Sequence, residues 1–142
     1  MPEIAKTQRF NTPAEQLERG HAAAAPAANL STLEGIWINV DSATRNLVRV
    51  VLTPLGHGIG VHAFGACSPT PCDWGEVAGV AYDASVSGGP AVAFTANYNF
   101  GFKTTILTGH LEGANLVVED FNVFHDGSGR ASYFDKGTFR RG

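Results

Sequence analysis

The chain has 142 residues, of which 44% are hydrophobic, and this length suits one domain with a core of its own. Its net charge of −3 comes from 10 basic and 13 acidic residues that form no blocks, so the sequence offers no basic patch for nucleic acid or an anionic membrane. Its 17 glycines beside a single methionine favour short strands and tight turns over long helices, and therefore an all-β fold.

Residues 1–32 are predicted to form an extension in front of the folded domain. The segment Thr12–Glu15 has the pattern of a helix N-terminus, and Gly20 would end such a short helix. Residues 21–29, HAAAAPAAN, are rich in alanine and interrupted by proline, which predicts a tether.

The first ten residues also bear on localisation. They contain acidic and basic side chains and no apolar run of the kind found in a secretory signal. No stretch of the sequence is apolar for the length that a transmembrane helix needs. We therefore expect a cytoplasmic protein that does not bind a membrane.

Residues 33–142 are predicted to form an eight-stranded antiparallel up-and-down β-barrel. Runs of β-forming residues alternate with turn residues about every 10 to 14 positions, and no run between them looks like a crossover helix. Closing such a meander removes its exposed edges, and a β-sandwich is the alternative. The eight runs are Gly35–Val40, Leu47–Thr53, Gly58–Ala66, Trp74–Tyr82, Ala91–Tyr98, Phe102–Leu111, Leu116–Phe124 and Ser132–Phe139.

The first of these runs carries a short motif, Gly35–Asn39 (GIWIN). It resembles the opening strand of calycin-type barrels, the lipocalin and avidin-like group, in which a tryptophan follows a glycine by two residues. The resemblance implies that Trp37 closes one end of the barrel and that the other end admits a small, usually apolar ligand. It does not imply a biotin site, because Trp74 is the only other tryptophan.

Cys67 and Cys72 enclose Ser-Pro-Thr-Pro between the third and fourth runs. Two prolines restrict so short a loop and hold its ends close together. A disulfide at the tip of this hairpin is one interpretation. Two reduced thiols, as in most cytosolic proteins, are the other.

Motifs for metal, phosphate or hydrolase chemistry are missing from the sequence. Its histidines show no HxH or HxxxH spacing, so we expect no metal and no cofactor. The segment His125–Arg130 is typical of a glycine-rich hairpin turn, since no helix follows it that would receive a phosphate. No GxSxG or HExxH motif is present.

Alternation along the strands collects aromatic and polar side chains that would line one interior. An apolar pocket with a few polar groups is how a small-molecule site is built, although a packed aromatic core with a polar rim would contain the same residues. The candidate ligand-binding residues are Phe64, Trp74, Phe94, Tyr98, His110, Phe124 and Arg130, and the candidate catalytic residues are His62, Asp120 and Tyr133.

These residues predict a small barrel that binds a hydrophobic or aromatic molecule in its lumen. One alternative is an isomerase or cyclase that shapes a small-molecule substrate, with His62, Asp120 or Tyr133 giving acid–base assistance. Another is a carbohydrate-binding module that uses Trp74 and Tyr82. Because several strands are apolar on both faces, we also expect a homo-oligomer or an outer surface covered by the N-terminal segment.

Overall fold

A computed structural model of the protein describes residues 29–142, in which eight antiparallel strands close into one barrel. The all-β fold and the eight-strand meander are therefore confirmed, and the sandwich alternative is wrong. The expected N-terminal helix, and the tether up to residue 28, lie outside the described residues. The strands are β1 (Gly35–Asn39), β2 (Leu47–Leu55), β3 (Gly58–Gly65), β4 (Cys72–Asp83), β5 (Ala91–Asn99), β6 (Lys103–Glu112), β7 (Asn115–Phe124) and β8 (Tyr133–Arg141).

The meander gives the barrel two different ends. The β2–β3, β4–β5 and β6–β7 hairpins lie at the end where β1 begins, and the other four loops lie at the opposite end. We call this opposite end the mouth. None of the residues from 29 to 142 belongs to a helix long and apolar enough to cross a membrane.

Trp37 closes the end at which β1 begins. Its side chain is buried, and its indole N–H donates a hydrogen bond to the carbonyl oxygen of Leu33 at 2.8 Å. The guanidinium of Arg141, in β8, lies 4.4 Å from the Trp37 ring centroid and donates hydrogen bonds to the carbonyl oxygens of Thr32 and Glu34. The last strand and the segment before β1 are thereby fastened across this end.

Packed side chains fill the interior of the barrel. At Gly109, in β6, an added Cβ would lie 2.7 Å from Cζ of the buried Phe94 ring. Beside Asp120 a cavity of about 10 Å³ remains, which is room for about one water molecule. The largest interior side chains that are fully buried are Trp37, Leu47, Val50, Leu52, Ile59, Val61, Phe94, Leu107, Leu116, Val118 and Phe139.

A bulge in β4 sets the direction of a tryptophan. The register between β3 and β4 shifts by one residue at Trp74 and Gly75, and this strand begins two residues earlier than the sequence predicted. Gly75 has a φ of 83°, a backbone conformation that glycine adopts without steric cost. The bulge brings the Trp74 ring against Tyr98 and Phe100 at the mouth.

The outer surface of β6, β7 and β8 carries an apolar row. Ile106 pairs with Phe121 and Phe121 pairs with Phe134 across these strands, and all three side chains are exposed. The two phenylalanine rings have centroids 5.1 Å apart. An oligomer that covers this row stays a prediction.

Candidate functional site

Six aromatic rings form a continuous cluster at the mouth. Neighbouring ring centroids lie 5.2 to 6.5 Å apart, within the range of favourable aromatic pairs. The rings come from strand ends and loops that are distant in sequence and meet at this end of the barrel. We call this cluster the aromatic mouth, and its members are Trp74, Tyr98, Phe100, Phe102, Phe124 and Tyr133.

Exposure increases from the base of the aromatic mouth to its rim. Tyr98 is buried at the base, Trp74 and Phe124 are half-buried, and Phe102 and Tyr133 are exposed. The cluster therefore continues the packed interior outwards and presents aromatic surface to solvent at the rim.

The Tyr98 hydroxyl fixes the base of the cluster. It accepts a hydrogen bond from the N–H of Ala63 at 3.1 Å and donates one to the carbonyl oxygen of Gly75 at 2.7 Å. Burial raises the pKa of Tyr98 to about 12, so the hydroxyl keeps its proton at neutral pH. Because Gly75 is the bulge residue, this bond also holds the neighbouring Trp74 in place.

A depression lies at the rim, where β7 and β8 separate. Their pairing ends at Asn122 and Tyr133, and the space beyond has a volume of about 240 Å³. Its lining includes Phe121, Tyr133 and Phe134. Phe121 and Phe134 face outwards, so the depression opens on the outer surface and meets the aromatic mouth at Tyr133.

Lys103 brings an ammonium group into the aromatic mouth. The residue faces Phe124 across the β6–β7 ladder, and its Nζ lies 4.9 Å from the ring centroid of Trp74 and 5.4 Å from that of Phe100. Such contacts place a cation against the negative faces of aromatic rings. Burial lowers the pKa of Lys103, and the negative charge of Asp120 offsets part of this shift.

Arg130 lies over the Phe124 ring, with its guanidinium carbon 3.9 Å from the ring centroid. Its charge is compensated, because Nη2 lies 2.6 Å from a carboxylate oxygen of Asp126. Hydrogen bonds from Ser128, and then from Arg130, hold the pKa of Asp126 at about 2. The β7–β8 turn thus places a neutral ion pair at the rim.

A buried polar network lies beneath the rim. The Asp120 carboxylate accepts hydrogen bonds from the side-chain amides of Asn46 at 2.7 Å and Asn122 at 2.8 Å. Asn122 in turn accepts one from the Thr105 hydroxyl at 2.7 Å. Burial raises the pKa of Asp120, and the two amide hydrogen bonds act against this shift. The network ties the β1–β2 loop to β6 and β7.

His62 and Phe64 lie on the outer face of β3. Val61 and Ala63 are fully buried, and successive side chains of a strand point to opposite faces. His62 Nε2 lies 2.6 Å from Oδ1 of Asp73, and its ring stacks on Phe64 with centroids 4.4 Å apart. The expectation that His62 and Phe64 share the interior with Phe94 was wrong.

The candidate catalytic residues are therefore not brought together. His62 lies outside the barrel wall, while Asp120 lies inside it. Tyr133 is near Asp120, because Asn122 contacts both residues, and burial followed by the charge of Asp120 raises the pKa of Tyr133.

His110 and His125 lie apart from the aromatic cluster or on its outer side. His110, a candidate ligand-binding residue, lies on the outer face, with Nε2 2.9 Å from Glu112. His125 contacts the outward-facing Thr104 hydroxyl at 2.9 Å. Within residues 29–142, no three His, Cys, Asp or Glu side chains are grouped to hold a metal ion.

Of the candidate ligand-binding residues, four meet at the mouth. These are Trp74, Tyr98, Phe124 and Arg130, whereas Phe94 belongs to the packed interior. The disulfide that joins Cys67 and Cys72, with Cα atoms 5.4 Å apart, lies in the β3–β4 loop at this same end.

Sequence reasoning missed Phe100, Phe102 and Lys103. Residues 99–101, NFG, fall between the fifth and sixth predicted runs, and Tyr98, Phe100 and Phe102 place three aromatic rings within five positions there. This concentration of rings was the available signal, because β5 ends and β6 begins at the same end of the barrel.

A second depression, of about 520 Å³, lies at the end closed by Trp37. Its lining includes Leu111, Arg140 and the segment Ser31–Thr32.

Comparison of the chain with known proteins identifies no relative, so a function is inferred from the geometry of the site. No family model matches the chain, and no curated protein or solved structure matches it significantly. The eight-stranded antiparallel barrel is consistent with a calycin-like architecture at the level of strand number and order.

Proposed function

We propose that this protein binds a small aromatic molecule at the mouth of its barrel. The observation that carries this proposal is the aromatic mouth, a row of six neighbouring rings that extends from a buried base to an exposed rim. Exposed apolar surface of this kind, with a few polar groups around it, is typical of ligand sites.

The ligand would lie on the rings at the rim rather than deep in the lumen. The interior is occupied by packed side chains, and the Phe94 ring over Gly109 is one example. At the rim, Phe124 and Tyr133 are nearly parallel, with planes 21° apart, and the depression between β7 and β8 reaches Tyr133 from the outer face. A flat ring would stack there and remain accessible from solvent.

The two alternative functions have weaker support in the geometry. For an isomerase or cyclase with acid–base assistance from His62, Asp120 or Tyr133, His62 lies outside the barrel wall, and both Asp120 oxygens already accept hydrogen bonds. A carbohydrate site would need Trp74 and Tyr82 on one surface. Trp74 packs in the aromatic mouth, whereas the Tyr82 hydroxyl contacts Thr95 on the outer face.

Fluorescence titration with N-phenyl-1-naphthylamine tests the proposal, because this uncharged dye brightens in apolar surroundings. We expect saturable binding of one dye per chain. Replacing Tyr133→Ser should weaken binding about two- to tenfold, since an aromatic pair contributes about 0.5–1.5 kcal/mol.

Tyr82→Ser is the matched control. Tyr82 and Tyr133 are exposed to nearly the same degree, 44% and 43%, but Tyr82 lies away from the mouth. The control should therefore leave the affinity for the dye unchanged. Dye binding that does not saturate, or that both variants weaken equally, would refute a site at the mouth.

A further inference from the structure

The ammonium group of Lys103 has an unusual environment for a lysine. Its side chain is half-buried and points to the inner side of the barrel wall, since the next inward residue along β6, Thr105, is fully buried. Its Nζ lies against the rings of Trp74 and Phe100. A lysine normally keeps its charged end in water, so this placement carries a desolvation cost.

The described residues provide no anion in contact with this ammonium. Their salt bridges join His62 to Asp73, His110 to Glu112 and Arg130 to Asp126, and none includes Lys103. Asp120 is the nearest buried acid in the network beneath the rim, and its oxygens accept hydrogen bonds from two asparagine amides.

Arg130, the second cation at the rim, does not change the net charge around Lys103. Arg130 is neutralised by Asp126, so the pair adds no net charge. The mouth therefore combines aromatic surface with one positive charge that forms no salt bridge to any residue among 29–142; the charge of Asp120 acts on it without direct contact. Burial lowers the pKa of Lys103, and this effect outweighs the opposing charge of Asp120, as expected for an ammonium that has lost water without forming a salt bridge.

We propose that the aromatic ligand carries an anionic group, such as a carboxylate or sulfonate, and that the Lys103 ammonium binds this group while the rings of the aromatic mouth stack on the aromatic part. The inference rests on the proposed function and names the chemical class of its ligand. A charge-assisted hydrogen bond to a half-buried ammonium is among the stronger polar contacts available to a small molecule.

Two dyes separate the anionic group from the aromatic part. 1-Anilinonaphthalene-8-sulfonate has the ring system of N-phenyl-1-naphthylamine with a sulfonate added. We expect the sulfonate dye to bind at least about tenfold more tightly, because a hydrogen bond to a charged group contributes about 1.5–3 kcal/mol and 1.4 kcal/mol is a factor of ten. Added salt should reduce this preference.

Variants then assign the preference to a residue. Lys103→Met retains the approximate length of the side chain without its charge, and it should abolish the preference, which is measured as the ratio of the two dye affinities within the same variant. Lys103→Arg should retain most of the preference. Lys136→Met is the matched control, since Lys136 is exposed on the outer face of β8, where it pairs with Glu119.

Each outcome decides between the two proposals. If the uncharged dye binds and the sulfonate dye binds no better, the anionic class is wrong and the aromatic site stands. If the preference survives in Lys103→Met, or disappears equally in Lys136→Met, the assignment to Lys103 is wrong. If neither dye binds, the proposed function fails, and the inference fails with it.

Discussion

Replacing Gly109→Ala tests how tightly the interior is packed. The added methyl group would lie 2.7 Å from Cζ and 2.9 Å from Cδ2 of Phe94. Carbon atoms in contact prefer about 3.5–4.0 Å, so the Phe94 ring must move by about 1 Å or more. The ring is fully buried, and this movement would displace other core side chains.

The expected loss of stability follows from two opposing effects. Inserting a methyl group into a packed core costs about 1–3 kcal/mol. Gly109 does not have a positive φ, so alanine is compatible with its backbone and returns about 0.4–1 kcal/mol by restricting the unfolded chain. We therefore expect the free energy of unfolding to fall by about 1–2 kcal/mol.

Denaturant unfolding of a double-mutant cycle measures this effect. Phe94→Leu alone should destabilise the protein because it leaves a cavity. In the double variant, the smaller leucine side chain leaves space for the methyl group added by Gly109→Ala. The double variant should therefore lose about 1 kcal/mol less unfolding free energy than the sum of the losses in the two single variants.

Additive costs, or a Gly109→Ala variant as stable as the parent, would contradict the packing described for this interior. They would also reopen the lumen as a ligand site. The far-ultraviolet circular dichroism of all four proteins should be the same, which shows that the cycle compares one fold.

Three further predictions concern the mouth and the network beneath it. Because the pKa of Asp120 is raised, its contribution to stability is present below the unfolded-state pKa of about 3.9 and is lost as the pH rises through the folded-state pKa. The stability of Asp120→Asn relative to the parent should therefore increase between about pH 3 and pH 7, and a constant difference would contradict the raised pKa. Gly75→Ala places no atom within 4 Å of another residue, so its cost is the backbone strain of a positive φ, about 1–2 kcal/mol, and movement of Trp74 should change the near-ultraviolet circular dichroism. Unchanged stability would refute the bulge geometry. Replacing Cys67 and Cys72 with serine should lower the free energy of unfolding by about 2 kcal/mol, and equal denaturation midpoints would show that the disulfide does not constrain the chain.

Much of the fold follows from local signals in the sequence. The eight runs are separated by turn residues, and both strand alternation and turn chemistry depend on neighbours along the chain. The start of β4 was less predictable, because the bulge depends on the backbone of Gly75 and on the hydroxyl of Tyr98 from the next strand.

The site was predictable only in part, because strand faces and distant contacts are not local. β3 is apolar on both faces, and Phe64 is covered on the outside by Arg49, whose guanidinium carbon lies 4.2 Å from the ring centroid. Asn46 contacts Asp120 across 74 positions of the chain, and Lys103 of β6 contacts Trp74 of β4 across the intervening strand β5. No pattern in the sequence joins such pairs.

The seam between β1 and β8 gives the barrel a place from which to open. These strands share three residue pairs, whereas β6 and β7 share ten. The hydrogen bond from Arg141 to Glu34 closes a loop of 107 positions, and closing so long a loop costs chain entropy. We expect this seam to form late during folding and the amide of Ile38 to exchange with deuterium sooner than that of Leu107.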